Sequence, residues 1–135
     1  MKLHHVGLSV GDLDASRKWY EENFDLIEEQ YFEMKQPEVR AVILAGKNGL
    51  RVELIGMDNS KREREYTDPL DASSVHGYGH LAIEVDDLEE VFGSLIEHGA
   101  RMVSKPSPAV QQGAFFAYVK DPEGNLIELI QAPGK

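Results

Sequence analysis

His5-Val6-Gly7-Leu8-Ser9-Val10-Gly11-Asp12-Leu13 and His80-Leu81-Ala82-Ile83-Glu84-Val85-Asp86-Asp87-Leu88 are two copies of one pattern. Each opens on a histidine, alternates apolar with other residues, and closes on Asp-Leu. Alternation of this kind marks a half-buried β-strand. An aspartate just ahead of an apolar run marks a helix start, because its short carboxylate accepts from the free amides of the first turn. A second pair of stretches matches too: Gly49-Leu50-Arg51-Val52-Glu53-Leu54-Ile55 with Gly124-Asn125-Leu126-Ile127-Glu128-Leu129-Ile130. Both matches carry the same offset of 75 residues (80 − 5 and 128 − 53). A repeat that long is a whole supersecondary unit used twice.

Each copy reads strand, helix, strands. After Asp87 the apolar residues Leu88, Val91, Phe92, Leu95 and Ile96 trace one face of a helix, and Gly99 supplies a left-handed stop. After Asp12 the matching stripe is Ser16, Trp19, Tyr20 and Phe24. Further strands are expected over Glu28 to Met34, Val39 to Leu44 and Phe115 to Val119. Tight reversals are expected at Gly46-Lys47-Asn48-Gly49 and Asp121-Pro122-Glu123-Gly124-Asn125. The organisation read from this is an α+β chain of paired βαβββ modules: residues 1–57, a linker over 58–75, and residues 76–135. The linker is polar, lacks alternation, holds Pro69, and carries the charge run Lys61-Arg62-Glu63-Arg64-Glu65.

Alternation also decides which polar side chains share a face. Val6, Leu8 and Val10 point one way, with His5, Gly7 and Ser9 opposite. Leu81, Ile83 and Val85 point one way, with His80, Ala82 and Glu84 opposite. Val52, Leu54, Ile127 and Leu129 are expected inside, leaving Arg51, Glu53, Ile55, Leu126, Glu128 and Ile130 on the open face. A lone histidine or strand glutamate is ordinarily a surface or salt-bridged group. Here one of each recurs at matching places in both modules, and a carboxylate among apolar neighbours calls for a partner. His5, Glu53, His80 and Glu128 are therefore the expected ligands of a divalent metal ion. Imidazole and carboxylate suit Zn, Ni, Fe, Mn or Co, and four protein ligands leave open positions for substrate. His4 is read as packing or surface, His98 as a helix-end residue, and His76 is left open.

Composition sets limits. The chain of 135 residues has 41% hydrophobic residues, enough for a packed interior, and a net charge of −10, which argues against nucleic acid or an anionic membrane as partner. With no cysteine, thiolate metal sites, disulfides and a cysteine nucleophile are excluded. No signal peptide or membrane-length apolar run is read in the sequence, so the expected setting is cytoplasmic.

Three stretches carry a family resemblance: His5 to Leu13, Gly79 to Leu88, and Asp121-Pro122-Glu123-Gly124-Asn125-Leu126-Ile127-Glu128-Leu129. They resemble the vicinal oxygen chelate superfamily, which includes glyoxalase I, methylmalonyl-CoA epimerase, extradiol dioxygenases and the fosfomycin- and bleomycin-resistance proteins. The resemblance implies paired modules forming an open, incompletely closed barrel around a metal. It also implies glyoxalase I-like ligands at His5, Glu53, His80 and Glu128. The implied activity is isomerisation of a small 2-oxoaldehyde–thiol adduct through an enediolate, with Glu128 as first choice of base and Glu53 acting on the opposite face. Ser9 stands where glyoxalase I has Arg and Met57 where it has Asn, which leaves the thiol open; Arg51 and the linker's basic residues are candidates to compensate. An epimerase of a thioester, an extradiol-type dioxygenase and a non-catalytic drug- or metabolite-binding resistance protein are the competing readings. The partners expected are a small-molecule substrate and a second copy of the chain, as a homodimer.

Overall fold

The aspartates placed before the two apolar runs do cap helices. In the computed structural model, which describes residues 1–135, the Ala15 amide donates to Asp12 Oδ1 at 3.0 Å and the Glu90 amide to Asp87 Oδ1 at 3.0 Å. The helices that follow are α1 (Leu13–Phe24) and α3 (Leu88–Glu97). α1 ends at Asp25, which takes a left-handed φ of 50°, and beyond α3 Gly99 takes a φ of 99°. Such a φ suits glycine best and the short polar Asp next.

The chain forms two compact units, Met1–Glu63 and Arg64–Lys135. The first holds β1 (Val6–Val10), α1, β2 (Ile27–Lys35), β3 (Glu38–Ala45) and β4 (Arg51–Met57). Its sheet has the order β1-β4-β3-β2, with β1 parallel to β4 and the remaining pairs antiparallel. The second holds α2 (Pro69–Ser73), β5 (Leu81–Glu84), α3, β6 (Arg101–Pro108), β7 (Phe115–Lys120) and β8 (Leu126–Gln131). Its sheet repeats the order as β5-β8-β7-β6, with β5 parallel to β8. Each unit is thus a βαβββ module with a mixed, open four-stranded sheet, as the repeat implied.

In each unit a central strand supplies the core. Val52 and Leu54 of β4, and Ile127 and Leu129 of β8, are all at most 1% exposed. Val42 and Leu44 of β3 join the first interior, and Ala117 and Val119 of β7 the second. Against the first sheet lies the buried side of α1: Leu13, Ser16, Trp19 and Tyr20, with Phe24 stacked on Tyr20 at 5.7 Å between ring centroids. Leu88 and Leu95 of α3 do the same for the second.

One local expectation is corrected, and two features go beyond the sequence reading. Leu126 was placed on the open face, yet it is buried; alternation fixes which face a side chain takes, not whether that face is covered there. The stretch 58–75 contains the short helix α2, capped by Asp68, whose Oδ1 accepts from the Asp71 amide at 2.8 Å. Pro69 opens this helix rather than breaking it, since a first-turn proline has no amide to satisfy. Strand β6 has no counterpart among the sequence-read strands. Pro106 and Pro108 break its pattern, and its pairing with β7 slips twice, which an edge strand tolerates.

Candidate metal centre

In a parallel strand pair, residues two positions apart share a face, so register decides which side chains meet. β1 and β4 set Gly7 beside Glu53. His5 lies two residues before Gly7, on the same side, and its Nε2 sits 2.9 Å from Glu53 Oε2. β5 and β8 repeat the arrangement: Ala82 stands beside Glu128, and His80 Nε2 lies 3.0 Å from Glu128 Oε2. Each unit therefore brings its histidine and glutamate into one pair. Within either unit, no third His, Cys, Asp or Glu joins the pair to make a metal-holding group.

The pairs are neither buried nor fully open. The glutamate side chains are 16% and 18% exposed and the histidine side chains 33% and 34%. This leaves the donor atoms reachable while the carboxylates lose much of their water. Without a cation, a proton must sit between nitrogen and oxygen, because two lone pairs at this distance repel. The spacing also suits a cation: two neighbouring ligands at about 2.1 Å from one ion and at right angles stand about 3 Å apart. Nitrogen and oxygen donors without sulfur match a borderline divalent metal. The donor chemistry of each pair suits such an ion.

His4, read as packing or surface, is exposed. Its Nδ1 lies 2.8 Å from His5 Nδ1, with the two rings edge to face. The contact occupies His5 Nδ1 and turns Nε2 toward Glu53, the kind of outer support that orients a metal-binding imidazole. His98 keeps to its helix end, Nδ1 at 2.7 Å from the Ser94 carbonyl.

The two units differ across from their glutamates. Ile43 of β3 faces Glu53, whereas Tyr118 of β7 faces Glu128. The Tyr118 ring meets His80 edge to face at 5.3 Å between centroids. Burial first, then the charge of the facing Glu128 carboxylate and a hydrogen bond to it, push the Tyr118 phenol up to about 12. The sequence reading did not single out Tyr118. The signal was available, because 118 − 75 falls on Ile43, a mismatch inside an otherwise matching repeat.

The basic residues that could meet an anionic part of a substrate are engaged. Arg51 forms a two-pronged ion pair with Glu29, Nε to Oε2 at 2.9 Å and Nη2 to Oε1 at 3.0 Å. That pairing holds the Glu29 carboxyl below its usual range. Lys61 pairs with Glu63 at 3.0 Å, and Arg64 with Asp71. Elsewhere, Glu65 accepts from Lys120 Nζ at 3.0 Å and from Arg101 Nη2. Those two cations, Lys120 foremost, hold its carboxyl below the usual value.

Comparison with known proteins agrees with this architecture. A probable lactoylglutathione lyase from Synechocystis sp. is 30% identical over 100% of this chain and 98% of its own. A lactoylglutathione lyase from Haemophilus influenzae is 29% identical over 97% of this chain and 93% of its own. Among solved structures, a glyoxalase family protein from Bacillus cereus superposes with a TM-score of 0.81 at 21% identity, over 99% of this chain and 95% of that one. Glyoxalase I from Zea mays superposes at 0.76 with 23% identity, over 99% of this chain and 46% of that one; at these identities the likeness speaks to fold. A family model matches residues 2–129. With that match, the chain belongs to the Glyoxalase/Bleomycin resistance protein/Dioxygenase superfamily, also called vicinal oxygen chelate.

Proposed function

We propose that this protein is a metal-dependent, glyoxalase I-like lyase/isomerase acting on a small 2-oxoaldehyde–thiol adduct. The observation that carries the reading is the repeated His–Glu pair, His5 with Glu53 and His80 with Glu128, in the same register in both units. Two pairs supply four donors, the set one open-sited divalent cation takes up, and relatives named lactoylglutathione lyase match along nearly the whole chain. When bound, the cation polarises two neighbouring oxygens of the substrate and stabilises the negative charge that grows as the adjacent carbon loses its proton.

The chain's own groups move that proton. Glu128 takes it from the carbon beside the carbonyl and returns it to the neighbouring carbon, while Glu53 serves the opposite face. His5 and His80 bind and orient and do not exchange protons with substrate. Because Arg51, Lys61 and Arg64 are each matched with an acid, recognition of the thiol rests on something other than a free cation, and its identity is left open. The protein works as a homodimer; exposed apolar side chains along β2, among them Ile27 and Met34, are suited to such an interface.

The test is to strip the protein, restore Zn, Ni, Co, Mn or Fe one at a time, and follow isomerisation of methylglyoxal adducts of several thiols. Turnover with at least one metal and one thiol is expected. Glu128→Gln should lower kcat by at least about a hundredfold while metal stays bound. A metal-loaded protein inactive on every adduct, or a Glu128→Gln variant with wild-type turnover, overturns the assignment.

A further inference from the structure

The repeat makes the two glutamates equivalent by position, yet their neighbourhoods differ at one polar group. Residues directly opposite across an antiparallel pair have side chains in contact on one face. Opposite Glu53 stands Ile43, which offers no donor; opposite Glu128 stands Tyr118, whose hydroxyl reaches the carboxylate. Tyr118 is itself fixed. Its amide donates to Ser104 Oγ at 3.1 Å where β6 slips in register, and its ring lies against both His80 and Phe116. Glu128 is thereby held from two sides, by His80 Nε2 and by the phenol, whereas Glu53 has His5 alone among the groups described.

We propose that Tyr118 is a positioning residue that fixes the Glu128 carboxylate through its hydroxyl and so sets Glu128 apart from Glu53. The inference rests on the reading of Glu128 as ligand and base given above. The Tyr118 hydroxyl donates to one carboxylate oxygen and leaves the other's lone pairs to the metal or the substrate carbon. An outer hydrogen bond of this type commonly changes metal affinity or activity by 10- to 100-fold. The isoleucine opposite Glu53 offers no such donor, which makes the two glutamates unequal.

Tyr118→Phe removes the hydroxyl and keeps the ring against His80. The Zn²⁺ dissociation constant is measured by competition with a chromophoric chelator in the wild type, in Tyr118→Phe, and with the same change made in Glu128→Gln and Glu53→Gln backgrounds. The thermal midpoint and, on an active adduct, kcat and KM are measured alongside. Tyr118→Phe is expected to weaken Zn²⁺ about tenfold and to lower kcat with KM within about threefold, at an unchanged thermal midpoint. The effect should persist with Glu53→Gln and vanish with Glu128→Gln. Equal Zn²⁺ affinity in Tyr118→Phe and wild type, or an equal loss in the Glu128→Gln background, overturns the role. The zinc readout needs no turnover, so it judges Tyr118 even if no adduct proves to be a substrate.

Discussion

His80 Nε2 and Glu128 Oε2 lie 3.0 Å apart although 48 residues separate them in the chain. The parallel pairing of β5 with β8 creates this closeness, by setting Ala82 beside Glu128 and His80 one pleat earlier on the same face. His5 and Glu53 repeat it at the same separation along the chain. The strand scaffold therefore brings one histidine and one glutamate together in each unit.

The repeat offers an internal control at position 7. A Cβ built on Gly7 would meet Glu53 Oε2 at 3.7 Å and Ile55 Cδ1 at 3.9 Å, ordinary contact distances. The second unit already carries Ala82 at the equivalent place. Gly7→Ala is expected to leave metal affinity unchanged and to raise unfolding free energy by about 0.4–1 kcal/mol, through a less flexible unfolded chain. Urea unfolding of the metal-free protein checks it.

Asp121 has no exposed surface and closes the turn between β7 and β8. Oδ1 accepts from the Glu123 and Asn125 amides at 3.0 and 2.8 Å, and Oδ2 from Asn125 Nδ2 at 2.9 Å. Asp121→Ala strands those donors and is expected to cost about 2–4 kcal/mol. Asp121→Asn, which keeps an acceptor oxygen, should cost less than half of that. Denaturant midpoints of the two variants give the comparison.

Glu65 sets an acid limit on stability. Lys120 and Arg101 hold its folded-state carboxyl below the usual value of 4.5. A carboxyl so depressed adds stability above its unfolded value, and the addition fades as pH falls through the lower folded value. Glu65→Gln is thus expected to melt below the wild type at pH 7, with the two curves converging as pH falls below the usual carboxylate range. Thermal melts across pH 3–8 show whether they converge.

Much of this was legible from period and offset. The caps at Asp12 and Asp87 and the buried residues of β4 and β8 follow from two-residue alternation and a constant spacing. β6 was not legible, because Pro106, Pro108 and two register slips erase the alternation that identifies a strand. α2 was hidden because Pro69 reads equally as a breaker and as a first-turn residue. Tyr118 escaped for another reason: a repeat draws attention to what matches, and this residue matters where the copies disagree.

We propose that His5, Glu53, His80 and Glu128 hold one divalent cation. Elemental analysis of the purified protein after dialysis against Zn²⁺, Ni²⁺, Co²⁺, Mn²⁺ or Fe²⁺ tests it most directly, with His5→Ala and His80→Ala treated in parallel. About one equivalent per chain is expected in the wild type for at least one of these metals, with loss of more than about 90% in each variant. A wild-type protein that retains none of them, or variants that retain the full equivalent, would contradict it.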